Sequence, residues 1–260
     1  LGKKYTIRTI YGDSVTEDTP ILCRLNGQIF YRTIDDLPAQ GNWFPDHEKE
    51  CRLPVQGLEV WNDTGFTELR NIIRHKTNKK IVRVRTGTAC VDVTEDHSLL
   101  TAEGDKIKPS EIDVTVKLMH SQFPLIIDNT EKKKKNNNNN NNSSSSIKNS
   151  EAIALGIEFY NDDNPNKCVP DKILNGSKMV RQAFLSAYKK NSEGYYDVVG
   201  KLAAASLFYL IDSINPGPIT LRGTDRYQET HCNNTYTIIT DLNCYPQRTS
   251  EIITAHPFIL

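Results

Sequence analysis

Two hydrophobic periods divide the chain. From residue 14 to residue 128 apolar and polar positions alternate in short runs, the spacing of half-buried strands. Pro20-Ile21-Leu22-Cys23-Arg24 reads as a short apolar strand. Asn26-Gly27 behind it is the strongest two-residue hairpin signal, and Gln28-Ile29-Phe30-Tyr31-Arg32 is the returning strand. Lys80-Ile81-Val82-Arg83-Val84-Arg85 alternates with period two, Thr86-Gly87-Thr88 is a turn, and Cys90-Val91-Asp92-Val93-Thr94 alternates again. Leu99-Leu100 runs on into a further turn at Gly104-Asp105. Ile34-Asp35-Asp36-Leu37 and Pro109-Ser110-Glu111-Ile112 read as single helical turns.

After residue 150 the period becomes helical. Ala152, Leu155, Gly156 and Phe159 share one face, and residues 177–189 carry Val180, Ala183, Phe184, Ala187 and Tyr188 at i, i+3, i+4 spacing. Residues 201–214 predict an apolar helix rich in Ala and Leu, stopped by Asn215-Pro216-Gly217. Ile219-Thr220-Leu221-Arg222 and Tyr236-Thr237-Ile238-Ile239-Thr240 read as strands, so this half is α/β. Between the halves, four Lys, seven Asn and four Ser follow one another. Such a run buries too little surface to offset its ordering entropy, so residues 129–150 are expected to be a disordered tether.

Composition narrows the function classes. The 32 basic and 32 acidic side chains balance, so no overall field argues for nucleic acid or membrane. No stretch approaches the roughly 18 apolar residues of a membrane span. The N-terminus lacks a basic segment followed by an apolar one, so an intracellular, non-secreted protein is expected. Six scattered cysteines form no C-x-x-C pair, which favours free thiols over structural zinc. Leu1 in place of a start methionine leads one to expect a piece of a longer reading frame.

The chemistry begins at Tyr11-Gly12-Asp13. The first thirteen residues resemble the strand that leads into the metal-binding YGDTDS motif of family B DNA polymerases, where carboxylates hold two Mg²⁺ ions. Thr-Asp-Ser does not follow. Ser14-Val15-Thr16-Glu17-Asp18-Thr19-Pro20 follows instead, and it resembles the opening block of an intein, a self-splicing protein element. Three further stretches resemble polymerase inteins in order: Glu59-Val60-Trp61-Asn62-Asp63-Thr64-Gly65-Phe66-Thr67, Ile72-Ile73-Arg74-His75-Lys76-Thr77-Asn78-Lys79-Lys80, and Val91-Asp92-Val93-Thr94-Glu95-Asp96-His97-Ser98-Leu99-Leu100. The last holds the T-x-x-H of the splicing block, Thr94 and His97. Alone, T-x-x-H is common and is better read as a surface histidine; within this frame the preference reverses and it reads as catalytic.

The resemblance implies an all-β Hint (hedgehog/intein) fold over residues 14–128, a horseshoe-like layer in which Ser14, Thr94 and His97 converge. It implies an N→O acyl shift: Ser14 Oγ attacks the carbonyl carbon of Asp13 and turns the Asp13–Ser14 amide into an ester. The ester is the less stable of the two, so the site must destabilise the amide and stabilise the tetrahedral intermediate. His97 would protonate the leaving nitrogen, Thr94 would hydrogen-bond the distorted peptide, and Asp13 and Asp96 would support them. The implied chemistry needs no metal or cofactor. A closing His-Asn block is expected in such elements, yet no Asn follows His256 and the last one in the chain is Asn243. The fold is therefore expected to be C-terminally incomplete. Residues 1–260 alone are expected to cleave negligibly, with a closing segment supplied in trans restoring the step.

The second half, residues 151–260, resembles a LAGLIDADG (DOD-type) homing endonuclease. Ala154-Leu155-Gly156-Ile157-Glu158-Phe159-Tyr160-Asn161-Asp162 lies where that family has an apolar helix ending in an acidic foot. Cys168-Val169-Pro170-Asp171-Lys172-Ile173-Leu174 and Ala183-Phe184-Leu185-Ser186-Ala187-Tyr188 resemble the approach to the second such helix. DNA cleavage needs a carboxylate at each foot to hold Mg²⁺. Here the feet are Asn161, with Asp162 one residue late, and Ser192, which are poor Mg²⁺ ligands. A small, degenerate α/β domain is expected, without cleavage and with at most DNA contact. The implied partners are the flanking polymerase segments, with no membrane. Two competing readings are an active homing endonuclease, with Mg²⁺ as cofactor, and a DNA polymerase fragment resting on residues 1–13.

Overall fold

The computed structural model describes residues 14–62, 64–113, 115–119, 122–124, 147–190, 194–216, 219–224 and 235–239. In these residues the chain is built mostly of small antiparallel sheets with four α-helices. Strands β1 (Pro20–Leu25) and β2 (Gln28–Thr33) pair from Pro20↔Thr33 to Leu25↔Gln28. Asn26 and Gly27 between them take positive φ, 51° and 78°, as a two-residue type I′ turn demands. A 3₁₀ turn over Ile34–Asp36 leads to β3 (Ala39–Asp46) and β4 (Lys49–Pro54). Then come β5 (Glu59–Asn62), β6 (Gly65–Glu68) and β7 (Ile72–Arg74).

These seven strands make two sheets, β2-β1-β5-β6 and β3-β4-β7. β8 (Ile81–Arg85) and β9 (Cys90–Thr94) form a hairpin, Ile81↔Thr94 to Arg85↔Cys90, about the turn expected at 86–88. β10 (Leu99–Leu100) and β11 (Lys106–Ile107) close a smaller one, and a second 3₁₀ turn covers Pro109–Glu111.

The helical half begins with α1 (Asn149–Asn161) and the short α2 (Asp171–Leu174). α3 (Lys178–Ala187) starts at Ser177, whose hydroxyl accepts from the Val180 N–H. β12 (Tyr196–Val199), α4 (Lys201–Ile214), β13 (Thr220–Thr224) and β14 (Thr235–Ile239) complete it, with sheet order β12-β14-β13. Helices α1 and α3 pack tightly. A Cβ added at Gly156 would lie 2.3 Å from the Phe184 carbonyl oxygen and 2.9 Å from Ala187 Cβ, so only glycine allows this approach. Tyr160 meets Tyr188 edge-on at 5.2 Å, which brings the C-terminal ends of the two helices together.

Three apolar clusters hold the molecule. Ile21, Cys23, Phe30, Leu37, Leu58, Val60 and Ile72 fill one side of the β1 sheet. Val84, Val91, Val93, Leu99 and Leu118 fill the β8–β9 region. The largest cluster spans both halves: Leu22 and Tyr31, on the opposite face of β1 and β2, pack with α1, α3 and α4. Helix α4 is buried on nearly all sides, as its uniformly apolar sequence requires.

Polar contacts join the halves as well. The Asn175 amide meets β2 twice, accepting from Ile29 N–H at 2.8 Å and donating to Ile29 C=O at 2.6 Å. Arg32 pairs with Asp171 at 2.9 Å, and Leu221 N–H reaches Gly87 C=O at 2.6 Å. Strands β3 to β7, β11 and β12 have no counterpart in the period-two reading. β3 carries Gly41 and Pro45, is largely exposed, and has a register irregularity between Gln40 and Phe44, so it shows no clean alternation. Among the described residues no helix is long and apolar enough to cross a membrane.

Candidate functional site

The segment that carries Ser14 lies as a short extra strand on β9. Thr16 N–H donates to Asp92 C=O at 3.0 Å and Thr94 N–H donates to Ser14 C=O at 2.9 Å. Val15 bridges Val93 between them, the narrow pair of an antiparallel ladder. This register brings Ser14 beside Thr94, whose hydroxyl oxygen is also 3.5 Å from Ser14 C=O. The carbonyl so held belongs to Ser14 itself, one peptide downstream of the Asp13 carbonyl named in the expected acyl shift. Asp13 lies outside the described residues.

The turn after β9 is tied down at several atoms. His97 N–H donates to Thr94 C=O at 2.9 Å, and Thr94 and His97 are both buried. Glu95 N–H donates to Lys80 C=O. Asp96 accepts from Lys79 Nζ at 2.5 Å. Its carboxyl sits below the usual range because of that hydrogen bond first, with the Thr94 hydroxyl adding to it. Asp96 therefore stays ionised at neutral pH and orients both neighbours.

A residue that sequence reasoning passed over stands next to Ser14. His75 Nε2 lies 3.5 Å from Ser14 Oγ. The imidazole's pKa is lowered, first by partial burial and then by Lys49 and Lys79, against an opposing pull from Asp96. At neutral pH the neutral ring prevails and has a lone pair to accept the Ser14 proton. The separation is long for proton transfer, and contacts of this kind are commonly longer in structures without substrate than in the working complex. His75 follows β7, which pairs with β4 (Glu50↔Arg74 to Arg52↔Ile72) in a sheet that does not include β9. No local pattern announces its place beside Ser14, although the stretch holding His75 is among those resembling inteins.

The buried thiols compete poorly as nucleophiles. Burial pushes Cys23 up to about 12 and Cys168 up to about 11. Both are overwhelmingly protonated at neutral pH.

The helix feet in the second half have a different character. Asn161 ends α1 and Asp162 caps it, its N–H on Glu158 C=O at 3.0 Å. Lys167 reaches in, donating to Phe159 C=O at 2.7 Å and to Asp162 C=O. Its ammonium thus takes the carbonyls at the helix end, where a divalent ion would meet a like charge. Ser192 lies outside the described residues. Among those described, no three His, Cys, Asp or Glu side chains come together to hold a metal. The described donor set at the first foot, one amide, one carboxylate and an ammonium, does not suit Mg²⁺.

With this geometry in hand, known proteins can be compared. A DNA polymerase of Acanthamoeba polyphaga mimivirus is 31% identical over 288 aligned residues, which cover 79% of this chain and 16% of that polymerase. The chain is similar to DNA polymerases. One from Thermococcus aggregans is 30% identical over 124 residues, 44% of this chain and 6% of the polymerase. A replication factor C small subunit of Methanopyrus kandleri is 33% identical over 108 residues, 38% of this chain and 16% of that subunit. The chain thus spans a sixth or less of the length of these relatives. No protein-family profile matches it.

Proposed function

We propose that the chain carries the opening part of a Hint-type protein-splicing element within a DNA polymerase, and that its first step is the N→O acyl shift at Asp13–Ser14. The observation that carries this reading is the register of residues 14–16 on β9, which sets Ser14 against Thr94 of the T-x-x-H turn with His75 Nε2 3.5 Å from its Oγ. The relatives support it from another side. About the same length of this chain is similar to a polymerase and to a replication factor C subunit. Similarity to proteins of such different names is more readily understood for an inserted element than for part of either host's chemistry.

In the proposed step His75 takes the Ser14 hydroxyl proton as Oγ bonds to the Asp13 carbonyl carbon. The Thr94 N–H and hydroxyl hold the Ser14 carbonyl, fixing the peptide plane beyond the attacked bond. When the Asp13 C–N bond breaks, the nitrogen receives a proton, from His97 in the role its T-x-x-H position implies. An ester on Ser14 and a free Ser14 amine remain. No metal or cofactor enters this sequence.

His75 gives the reading a discriminating variant. His75→Ala is expected to slow formation of the ester by roughly 10²-fold, the usual contribution of a positioned base. The rate of hydroxylamine-dependent release of residues 1–13, with a closing segment supplied in trans, measures it. An unchanged rate removes His75 from the mechanism and leaves the base unassigned.

We read the second half as a degenerate homing endonuclease whose implied contacts are DNA and the flanking polymerase segments. Lys167 at the foot of α1 supports loss of cleavage. Purified protein with Mg²⁺ and DNA bearing the uninterrupted polymerase site is expected to leave that DNA intact on a gel. Specific double-strand breaks at the site overturn this.

A further inference from the structure

Among the described residues, one side chain of the helical half hydrogen-bonds the Ser14 segment. Lys201, the first residue of α4, sends its Nζ to Asp92 Oδ2 at 2.6 Å, Asp18 Oδ1 at 2.7 Å and Thr16 Oγ1 at 3.3 Å. An ammonium has three N–H donors, and here each has an acceptor. The Lys201 and Asp92 side chains are each 8% exposed, so water is poorly able to replace one for the other. Asp92 is held in turn by Arg83, whose Nε and Nη2 donate at 2.6 and 2.7 Å. The two cations and two carboxylates balance, which makes the cluster self-contained.

We propose that Lys201 is a positioning residue for Ser14, pinning residues 14–18 to β9, and that the helical half is thereby a working part of the splicing site. Thr16 is gripped twice. Its N–H is on the Asp92 carbonyl and its hydroxyl is on the lysine that also binds the Asp92 carboxylate. Backbone and side chain of one residue are fixed by two residues already in contact, leaving little freedom for the chain two positions earlier. A mere tie between halves could fall anywhere on the surface, as Arg32–Asp171 does. This one falls on the residues that set the register of the nucleophile. The Asp18 contact adds a second grip on the far side of Thr16, and Thr16 Oγ1 itself donates to Asp18 at 2.5 Å.

The proposal rests on Ser14 as nucleophile, but its primary test does not. Amide hydrogen exchange is measured on the full 260-residue chain. Lys201→Met is expected to speed exchange of the Thr16 and Thr94 amides about tenfold or more, while amides of the β1–β2 hairpin and of α1 keep wild-type rates. Lys201→Arg is expected to restore protection, since it retains the charge and several donors. Unchanged exchange at Thr16 and Thr94 overturns the proposal, and so does a uniform rise across all amides, which assigns the ammonium a fold-wide role.

If Lys201→Met does not fold, Asp18→Ala removes one of the three bonds from a half-exposed side chain, and a rise of about threefold confined to the same two amides is expected. Release of residues 1–13 by hydroxylamine, with a closing segment supplied in trans, is expected to fall about tenfold in Lys201→Met and recover in Lys201→Arg. Should exchange respond as expected while the Ser14→Ala chain releases as much product as wild type, the clamp stands and the nucleophile assignment fails.

Discussion

Hydroxylamine, with a closing His-Asn segment supplied in trans, should release a 13-residue N-terminal product from the wild-type chain and none above background from Ser14→Ala. Hydroxylamine cleaves esters far faster than amides, so the product reports the acyl shift at Asp13–Ser14. Alanine has no atom to make the attack. The buried Cys23 and Cys168 thiols are no substitute, since burial holds both in the protonated form. The expected loss is on the order of a thousandfold or more, about 4 kcal/mol of barrier. Mass spectrometry of the released peptide is the measurement. Equal yields from the two chains would mean that Ser14 is not the nucleophile.

The second large effect is on stability. Asp92→Ala removes the carboxylate that Arg83 and Lys201 share, leaving a nearly buried ammonium with one charged partner fewer. Breaking a buried pair from one side costs about 3 kcal/mol or more. For a chain of this size that lowers Tm by roughly 6–12 °C. A thermal melt followed by circular dichroism checks it, and a shift under about 2 °C contradicts the assignment of Asp92 as the centre of the cluster.

The same carboxylate sets an acid limb. Burial alone would raise the Asp92 pKa, but the hydrogen bonds from Arg83 and Lys201 outweigh it and the net shift is downward. A carboxyl whose folded pKa lies below its unfolded value contributes stability above the unfolded pKa. That contribution is lost as pH falls through the folded one. The wild type is therefore expected to hold its Tm down to about pH 4 and lose it below, with a shallower decline in Asp92→Ala.

Much of the local structure was legible in the sequence, and the reasons are specific. Asn26-Gly27 encodes its turn through two residues that tolerate positive φ, and the β8–β9 hairpin alternates because one face carries Val82, Val84, Val91 and Val93 into an apolar cluster while the other carries Arg83 and Asp92, paired with each other and with Lys201. Helices α1, α3 and α4 announce themselves by period, and Ser177 by its position. The run Pro20-Ile21-Leu22-Cys23 lacks alternation because β1 is covered on both faces, by the Ile21–Cys23 cluster and by α4 through Leu22. That lack was the one sequence-level hint that the helical half packs against the first sheet.

The site was legible only in part. Ser14 and Thr94 are eighty positions apart, and the segment resemblance alone brought them together before their hydrogen bond was seen. His75 and Lys201 could not be found that way. Each reaches Ser14's segment through contacts between distant strands and helices, and neither sits in a local pattern that differs from an ordinary exposed His or a helix-opening Lys. β3 was missed because exposure, Gly41 and Pro45 erase its period.

The Asn175 amide on β2 has a bearing beyond joining two halves. β2 is the outer strand of the sheet β2-β1-β5-β6, so its outward N–H and C=O groups offer a template on which a strand from another molecule could add. At Ile29 both groups are already taken, by a side chain that mimics one residue of a neighbouring strand but cannot extend the ladder. The helical half thus stoppers the sheet at its edge. States in which strands loosen leave edges open to pairing between copies. A stopper on the outer strand keeps those states from pairing with one another.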